Sequence, residues 1–215
     1  MFRMLISAGH GAGPAHNRGA ICYNEGDNNY YYSLELKKAM EQYEDALVDL
    51  IRKNINDNPS LSQRSAMGEG YHLYYSAHSN AIIGNPTVRG TEVWDSVEKP
   101  NRELAKALCD AVAETFSHNN RGVKYREGQP GWNWYGELRF NGADSAMIVE
   151  HGFHTNIRDC NFFKNNHKEL AEAEAYAIAK HYGLKKKSTG AVATHIPSDW
   201  AKEAWEWAAK EGLLD

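Results

Sequence analysis

The chain has 215 residues, 42% of them hydrophobic, and a formal net charge of −4. That length can bury one substantial core without a disulfide framework, and the mild negative charge excludes the global basic bias of a nucleic-acid-binding protein. No run approaches the roughly 18 apolar residues of a membrane span, and the start of the chain does not read as a signal peptide, so the chain is expected to be made soluble in the cytoplasm without inserting into a membrane.

The first element is the run Leu5-Ile6-Ser7-Ala8, closed by Gly9-His10-Gly11. An apolar run stopped by glycine reads as a buried strand with His10 at its carboxyl end, where open α/β sheets place their ligand sites. A loop rich in Gly, Asn and His follows, with Glu25 at or just before the first turn of a helix over residues 28 to 43. A carboxylate there is favoured by the helix dipole whatever else it does. Ala46 to Arg52 reads as a second strand and Leu61 to Gly68 as a short helix. Tyr71 to Ala77 is a further buried strand, and it too ends on a histidine, His78, followed by Ser79 and Asn80.

A strand from Gly90 to Trp94 precedes a long amphipathic helix from Asn101 to about Ser117, with Leu104, Leu108, Val112 and Phe116 on one face. The segment from Val123 to Trp134 reads as a Gly- and Trp-bearing loop, and Gly136 to Phe140 as a further strand. Ala146 to Val149 is a fourth clear buried strand, ending on Glu150-His151-Gly152. Two helices follow, one opened by Asp159 and one from Leu170 to Tyr182 closed by Gly183. Strands alternating with helices predict an α/β fold, with a central, mostly parallel twisted sheet flanked by helices and the site along one sheet edge. The three cysteines, Cys22, Cys109 and Cys160, form no C-x-x-C pair and read as reduced thiols, Cys109 in a helix core.

His10, His78 and Glu25 make a set of two imidazoles and one carboxylate, which is a three-ligand catalytic zinc set with a fourth position open. Glu150, at the end of another strand, is the unligated carboxylate that such a site uses as general base and acid. The alternative is that His10 and His78 only hydrogen-bond at loop starts, and the ligand types would also tolerate another divalent metal. His16 and Cys22 are possible competitors as ligands. His151 and His154 read as hydrogen-bonded neighbours of Glu150, and Arg64 as a partner of a carboxylate or of carbonyl groups.

The local words Ala8-Gly9-His10-Gly11, Asn24-Glu25, Leu61 with Arg64, Ser76-Ala77-His78-Ser79-Asn80-Ala81, Gly90-Thr91-Glu92-Val93 and Val149-Glu150-His151-Gly152-Phe153 occur in that order. Over residues 1 to 183 the chain resembles the zinc-dependent N-acetylmuramoyl-L-alanine amidases of the amidase-3 type, found in bacterial autolysins and phage endolysins. The resemblance implies cleavage of the amide between N-acetylmuramic acid and the L-alanine of the peptidoglycan stem peptide. It implies one Zn2+ held by His10, Glu25 and His78, Glu150 as the catalytic glutamate, and Asn80 as a candidate substrate-orienting residue. In this sequence Ala12-Gly13-Pro14 stands where many members carry Asp soon after the first histidine, so the rim of the site is expected to differ. The glycines beside His10 are expected to leave room for metal and glycopeptide, and Trp132 and Trp134 either pack at the rim or stack on substrate.

The expected organisation is a catalytic domain over 1–184, a basic linker over 185–196 and a helical appendage over 197–215. That last piece carries Trp200, Trp205 and Trp207 and resembles the first helix of an S-layer-homology-type repeat, which would take a cell-wall polymer as partner. The resulting expectation is a phage lysis enzyme acting on the wall after release. The alternatives are a wall-binding module without chemistry, or a zinc peptidase cutting within the stem peptide.

Overall fold

The structure is a computed structural model and describes residues 1–188. Its elements, in chain order, are β1 (Phe2–Ala8), a 3-10 turn (Pro14–His16), α1 (Glu25–Met40), β2 (Ala46–Leu50), α2 (Leu61–Ala66), β3 (Leu73–Asn80), β4 (Thr91–Asp95), α3 (Arg102–Phe116), β5 (Asn120–Lys124), β6 (Glu127–Gln129), β7 (Trp132–Asn133), β8 (Ser145–Phe153), α4 (Ile157–Asn165) and α5 (His167–Tyr182). Six strands form one sheet in the order β2-β1-β3-β8-β4-β5, and β6 with β7 forms a separate ribbon. Every neighbouring pair in the large sheet is parallel except β4 with β8. The mostly parallel sheet expected from the sequence is therefore the one that forms.

The three central strands β1, β3 and β8 are nearly continuous apolar runs because both faces of the sheet are covered. Side chains alternate between those faces. Met4, Ile6, Tyr75, Ala77, Met147 and Val149 join the larger core, which also takes Leu36 of α1, Leu108 of α3 and Ile178 of α5. Leu5, Tyr74 and Ile148 point the other way, onto Leu138 and Ala143. Gly136 to Phe140 is not a strand but a succession of turns against this second face, held by bonds such as Leu138 N–H to the Tyr135 carbonyl at 3.1 Å. It does not alternate because it lies flat over the sheet and pairs with nothing.

Helix boundaries follow local chemistry. The Asn24 side chain caps α1 by accepting from the Asp27 N–H, so the helix begins at Glu25, three residues earlier than its apolar spacing alone indicates. Ser60 and Gln63 form a reciprocal capping box on α2, and α5 stops at Gly183 in the left-handed conformation.

One expectation is overturned. Cys22 and Cys160 are joined in a disulfide, 138 residues apart in sequence with Cα atoms 6.0 Å apart, whereas Cys109 is a free, buried thiol as expected. The bridge ties the loop ahead of α1 to α4, a pairing between segments that no local spacing signals. The tryptophan-bearing segment 197–215 and the linker beyond residue 188 lie outside the described residues.

Thiol titration of the unfolded chain should therefore give one free thiol without reductant and three with it. Cys22→Ser should lower unfolding free energy by about 2–5 kcal/mol in denaturant titration. Three titratable thiols in the unreduced protein would rule the bridge out.

Candidate active site

Parallel registration of β1, β3 and β8 sets Ala8 beside Ala77 and Ala77 beside Val149, so the strands end at one level and His10, His78 and Glu150 emerge together. His78 and Glu150 are themselves register partners. Glu25 reaches the same place from the first residue of α1 and is almost fully buried. Its Oε2 lies 3.3 Å from His10 Nε2 and its Oε1 lies 3.5 Å from His78 Nδ1. The Ser79 N–H donates to Oε1 at 3.2 Å. One ligand atom each from His10, Glu25 and His78 can be chosen with all three within 4.8 Å of one another, and this is the only group of that kind found among the described residues.

Backbone geometry is committed to this arrangement. His10 has φ 64, a left-handed conformation unusual for a residue with a Cβ. A Cβ on Gly9 would lie 2.4 Å from atoms of the His78 ring, so the space beside His10 is used by the second imidazole. Gly26 is equally constrained, because a Cβ there would lie 1.8 Å from the Gly11 carbonyl oxygen. That contact lets the head of α1 close onto the loop after β1, which brings Glu25 between the histidines. The glycines beside His10, expected to leave room for metal and glycopeptide, instead make room for other side chains: a Cβ on Gly11 would lie 2.5 Å from Asn58 Oδ1, as one on Gly9 would meet the His78 ring.

Arg64, fully buried, spans the back of the site. Its guanidinium donates to the Ser7 hydroxyl at 3.0 Å, to the Ala8 carbonyl at 2.6 Å and to the His10 carbonyl. It also lies 3.7 Å from Glu137 Oε1. The sequence reading of Arg64 as a partner of carbonyls and a carboxylate agrees with this.

Glu137 is a functional candidate that the sequence reading passes over. Its carboxylate is buried under the site, accepts from the Ser7 hydroxyl at 3.3 Å and from the Ser76 hydroxyl, and faces His78 Nε2 at 3.8 Å. It comes from the turn segment after β7, where no periodicity or family word marks it. The one available signal was an acidic residue set between Gly136 and Leu138.

The charges follow from these contacts. Burial opposes ionisation of Glu25, but hydrogen bonds and charge from His10 and His78 outweigh it and hold the carboxyl well below its usual range. Burial likewise opposes ionisation of Glu137, yet His78 and Arg64 bring its pKa down to about 2. For His78, burial disfavours the cation, but Glu137 and Glu25 hold its pKa up at about 10. Glu150 differs. Burial dominates, the carboxylates of Glu25, Glu92 and Glu137 add to it against His78, and its pKa rises to about 8. Its Oε2 is buried without a hydrogen-bond partner, as is His78 Nε2.

The neighbouring candidates stay outside the ligand group, although Asn80 and His154 line the cleft and His154 Nδ1 lies 3.7 Å from Glu25 Oε2. His151 is fully buried behind the site, its Nδ1 donating to the His78 carbonyl at 3.0 Å and its Nε2 hydrogen-bonded to Glu174 at 2.8 Å, so it braces the strand end. His154 bonds the Ser79 hydroxyl at 2.9 Å and the Arg18 carbonyl at 3.1 Å. His16 lies 3.3 Å from the Asn58 side chain, and Cys22 is in the disulfide, so neither joins the ligand group. Asn80 lines the cleft, and its amide donates to Glu92 Oε1 at 2.8 Å, which positions Glu92 in register beside Glu150.

Residues 4–180 match the family model described as N-acetylmuramoyl-L-alanine amidase. The chain belongs to this family of amidases. Comparison with curated proteins gives no significant match. Among solved structures, the chain is similar to an N-acetylmuramoyl-L-alanine amidase of Clostridium difficile 630 at 21% identity, with a TM-score of 0.73 over 85% of this chain and 97% of that one. It is also similar to the catalytic domain of the amidase CwlV from Bacillus (Paenibacillus) polymyxa var. colistinus, at 21% identity and a TM-score of 0.71, over 86% and 100% of the two chains. Against Cwp6 of Clostridium difficile the identity is 21% and the TM-score 0.73, over 83% of this chain but only 29% of that one. These likenesses agree with the fold derived from the strand order.

The raised pKa of Glu150 has a sign that can be checked. Its folded value of about 8 lies above that of the unfolded chain, so the group costs stability as pH rises from about 4.5 to 8. In metal-free protein Glu150→Gln should raise unfolding free energy by ~1 kcal/mol or more at pH 8, with no gain below about pH 4. Equal stability of variant and parent at both pH values would show that Glu150 is not held in a desolvated, carboxylate-lined position.

Proposed function

We propose that this amidase-family protein is a zinc-dependent N-acetylmuramoyl-L-alanine amidase that cuts between N-acetylmuramic acid and the L-alanine of the stem peptide. The observation that carries the reading is the convergence of His10, Glu25 and His78 within 4.8 Å beside a buried carboxylate with an unpartnered oxygen. The donor set fits the metal: two imidazoles and one carboxylate are the ligand types of an open catalytic zinc site. When bound, zinc supplies a Lewis acid that polarises the scissile carbonyl and makes water acidic enough to ionise near neutrality.

The chain's own residues account for the remaining steps. Glu150 Oε2 takes a proton from the attacking water as the carbon–oxygen bond forms, and gives a proton to the leaving nitrogen as the carbon–nitrogen bond breaks. A carboxylate buried among other carboxylates has the raised affinity for a proton that this exchange requires, and the charge of a bound dication acts in the opposite direction, bringing it towards neutrality. Arg64 fixes the His10 end of β1 through two carbonyls. Glu137, facing Nε2 of His78, orients the ring with Nδ1 towards the ligand group, as partners behind a metal-binding histidine do. Metal binding must displace the proton that His78 otherwise holds, so affinity falls with falling pH.

The fold is shared with the catalytic domain of the CD27L endolysin targeting Clostridia Difficile, at 22% identity with a TM-score of 0.66 over 84% of this chain and 98% of that one, and the resemblance of the short sequence words to endolysins extends the reading to a lysis system. In that setting it acts on the wall after release from the cell that makes it, and segment 197–215 engages a wall polymer.

Wall lysis should be lost on chelation and restored by zinc, and mass analysis of the products should show free stem peptides beginning with L-alanine. Fragments cut within the stem would make it a peptidase, and retention on wall with no new amines would make it a binding module. Glu150→Gln should keep zinc and lose at least about 100-fold in turnover. Glu137→Ala should weaken zinc binding in chelator competition by roughly 10–100-fold, and unchanged affinity would remove Glu137 from its positioning role.

A further inference from the structure

The cleft around His10, His78 and Glu150 does not end at the metal ligands. Two of the residues that line it, Leu61 and Gly136, also line a second depression bounded by Ser62, Ser65, Arg139 and Phe140. Phe140 packs edge-on against Trp132 with ring centroids 4.9 Å apart. Trp134 adjoins Tyr135, which lines the cleft itself, and carries the Arg126 guanidinium 4.0 Å above its ring. The two depressions thus adjoin across Leu61 and Gly136, and Phe140 and Tyr135 connect them to an aromatic surface on the β6–β7 ribbon.

That surface is built to stay exposed. Trp132 and Trp134 flank Asn133 at alternate positions, so both point away from the core while Asn133 points into it. The Asn133 side chain accepts from the Val97 N–H at 2.8 Å and donates to the Ser96 hydroxyl and the Leu138 carbonyl, each at 3.0 Å. Arg139 donates to the carbonyls of Asn133 at 3.0 Å and Trp134 at 2.9 Å. The anchored backbone leaves Trp132 44%, Trp134 47% and Phe140 61% exposed, and Phe140 holds a left-handed φ of 54 to do so. The edge-on pair and the cation over Trp134 each contribute on the order of 1 kcal/mol, and three large rings still keep close to half or more of their surface in water.

We propose that these adjoining depressions and their aromatic platform form a glycan subsite, on which N-acetylated sugar rings flanking the cleavage point stack their C–H faces. The proposal rests on the amidase reading, because a substrate joining a sugar polymer to a peptide must leave the cleft in two directions. Among the described residues, another depression that shares Arg18 and Ala81 with the cleft is lined by Ile82, Ile83 and Thr155, with neither an aromatic ring nor a second cation in its lining. Flat indole faces with a polar border of Ser62 and Arg139 suit a pyranose, which is apolar on its faces and polar around its rim. The apolar, singly cationic depression suits a peptide with a carboxylate.

The test uses the full chain, a four-sugar oligomer of N-acetylglucosamine as the peptide-free probe, and the free stem peptide as its counterpart. Tryptophan fluorescence of the wild type should respond saturably to the oligomer, and the Trp132→Ala/Trp134→Ala double variant should bind it at least about tenfold more weakly. The ratio of turnover on intact wall to turnover on a single-sugar muramoyl peptide should fall by a similar factor. Trp132→Phe should recover part of both, and Tyr176→Ala, an exposed aromatic on α5, should change neither. Thermal midpoints of the variants establish that they fold. An oligomer that does not bind the wild type, a double variant with undiminished affinity, or a loss confined to the stem peptide would each overturn the subsite. A wild type that binds the oligomer yet releases no stem peptides would overturn the amidase reading and leave the subsite standing.

Discussion

Everything in the site depends on the register of three neighbouring parallel strands. Because β1, β3 and β8 end at the same height, residues separated by more than sixty positions in sequence are presented side by side, and their polar ends project where the apolar faces of the sheet stop. A shift of one residue in any of them would send its functional side chain to the opposite face. The large core beneath, formed with α1, α3 and α5, makes such a shift expensive, since Met4, Ile6, Tyr75 and Val149 would all be misplaced. The chemistry is thus positioned by hydrophobic burial at a distance from it.

Electrostatics adds a second layer. Four carboxylates and three imidazoles, those of His10, His78 and His154, meet in a small volume, and the fold gives the carboxylates different neighbours. Glu25 and Glu137 each face histidine, and Glu137 also faces Arg64, so both remain ionised. Glu150 faces its own kind and has one oxygen with no partner at all. Glu92 is held by Asn80 and by Arg121 at 2.9 Å, so Asn80 acts on Glu150 through its neighbour in the sheet. Groups of the same residue type are in this way separated into carboxylates held ionised and one whose affinity for a proton is raised.

The residues at strand ends were legible in the sequence because a buried strand announces itself as an apolar run and its end as a glycine or polar residue. His10, His78 and Glu150 were all found so. Glu25 was ambiguous, since a carboxylate at a helix start has an ordinary capping explanation, and only its reach between two imidazoles separates the two. The order of short words added the family and the ligand set. Glu137, the Cys22–Cys160 bridge and the Asn133 anchor were not legible, for a common reason: each joins a loop, turn or very short strand, which carries no period, to a distant part of the chain, and each depends on where the fold has already brought the two together. The turn segment after β7 reads as a strand because Glu137, Leu138, Arg139 and Phe140 alternate polar with apolar, although in the structure both Glu137 and Leu138 are buried.

Gly9 and Gly26 show a further side of the same crowding. Neither has a side chain to bind or react with anything, yet each occupies a point where another part of the site passes through the space a Cβ would need. A survey of substitutions scored only by lysis would rank both with His10, Glu25 and His78 and invite a chemical role for them. Their intolerance is geometric. In a site assembled from strand ends and one helix start, the atoms that must be missing constrain the sequence as firmly as those that must be present.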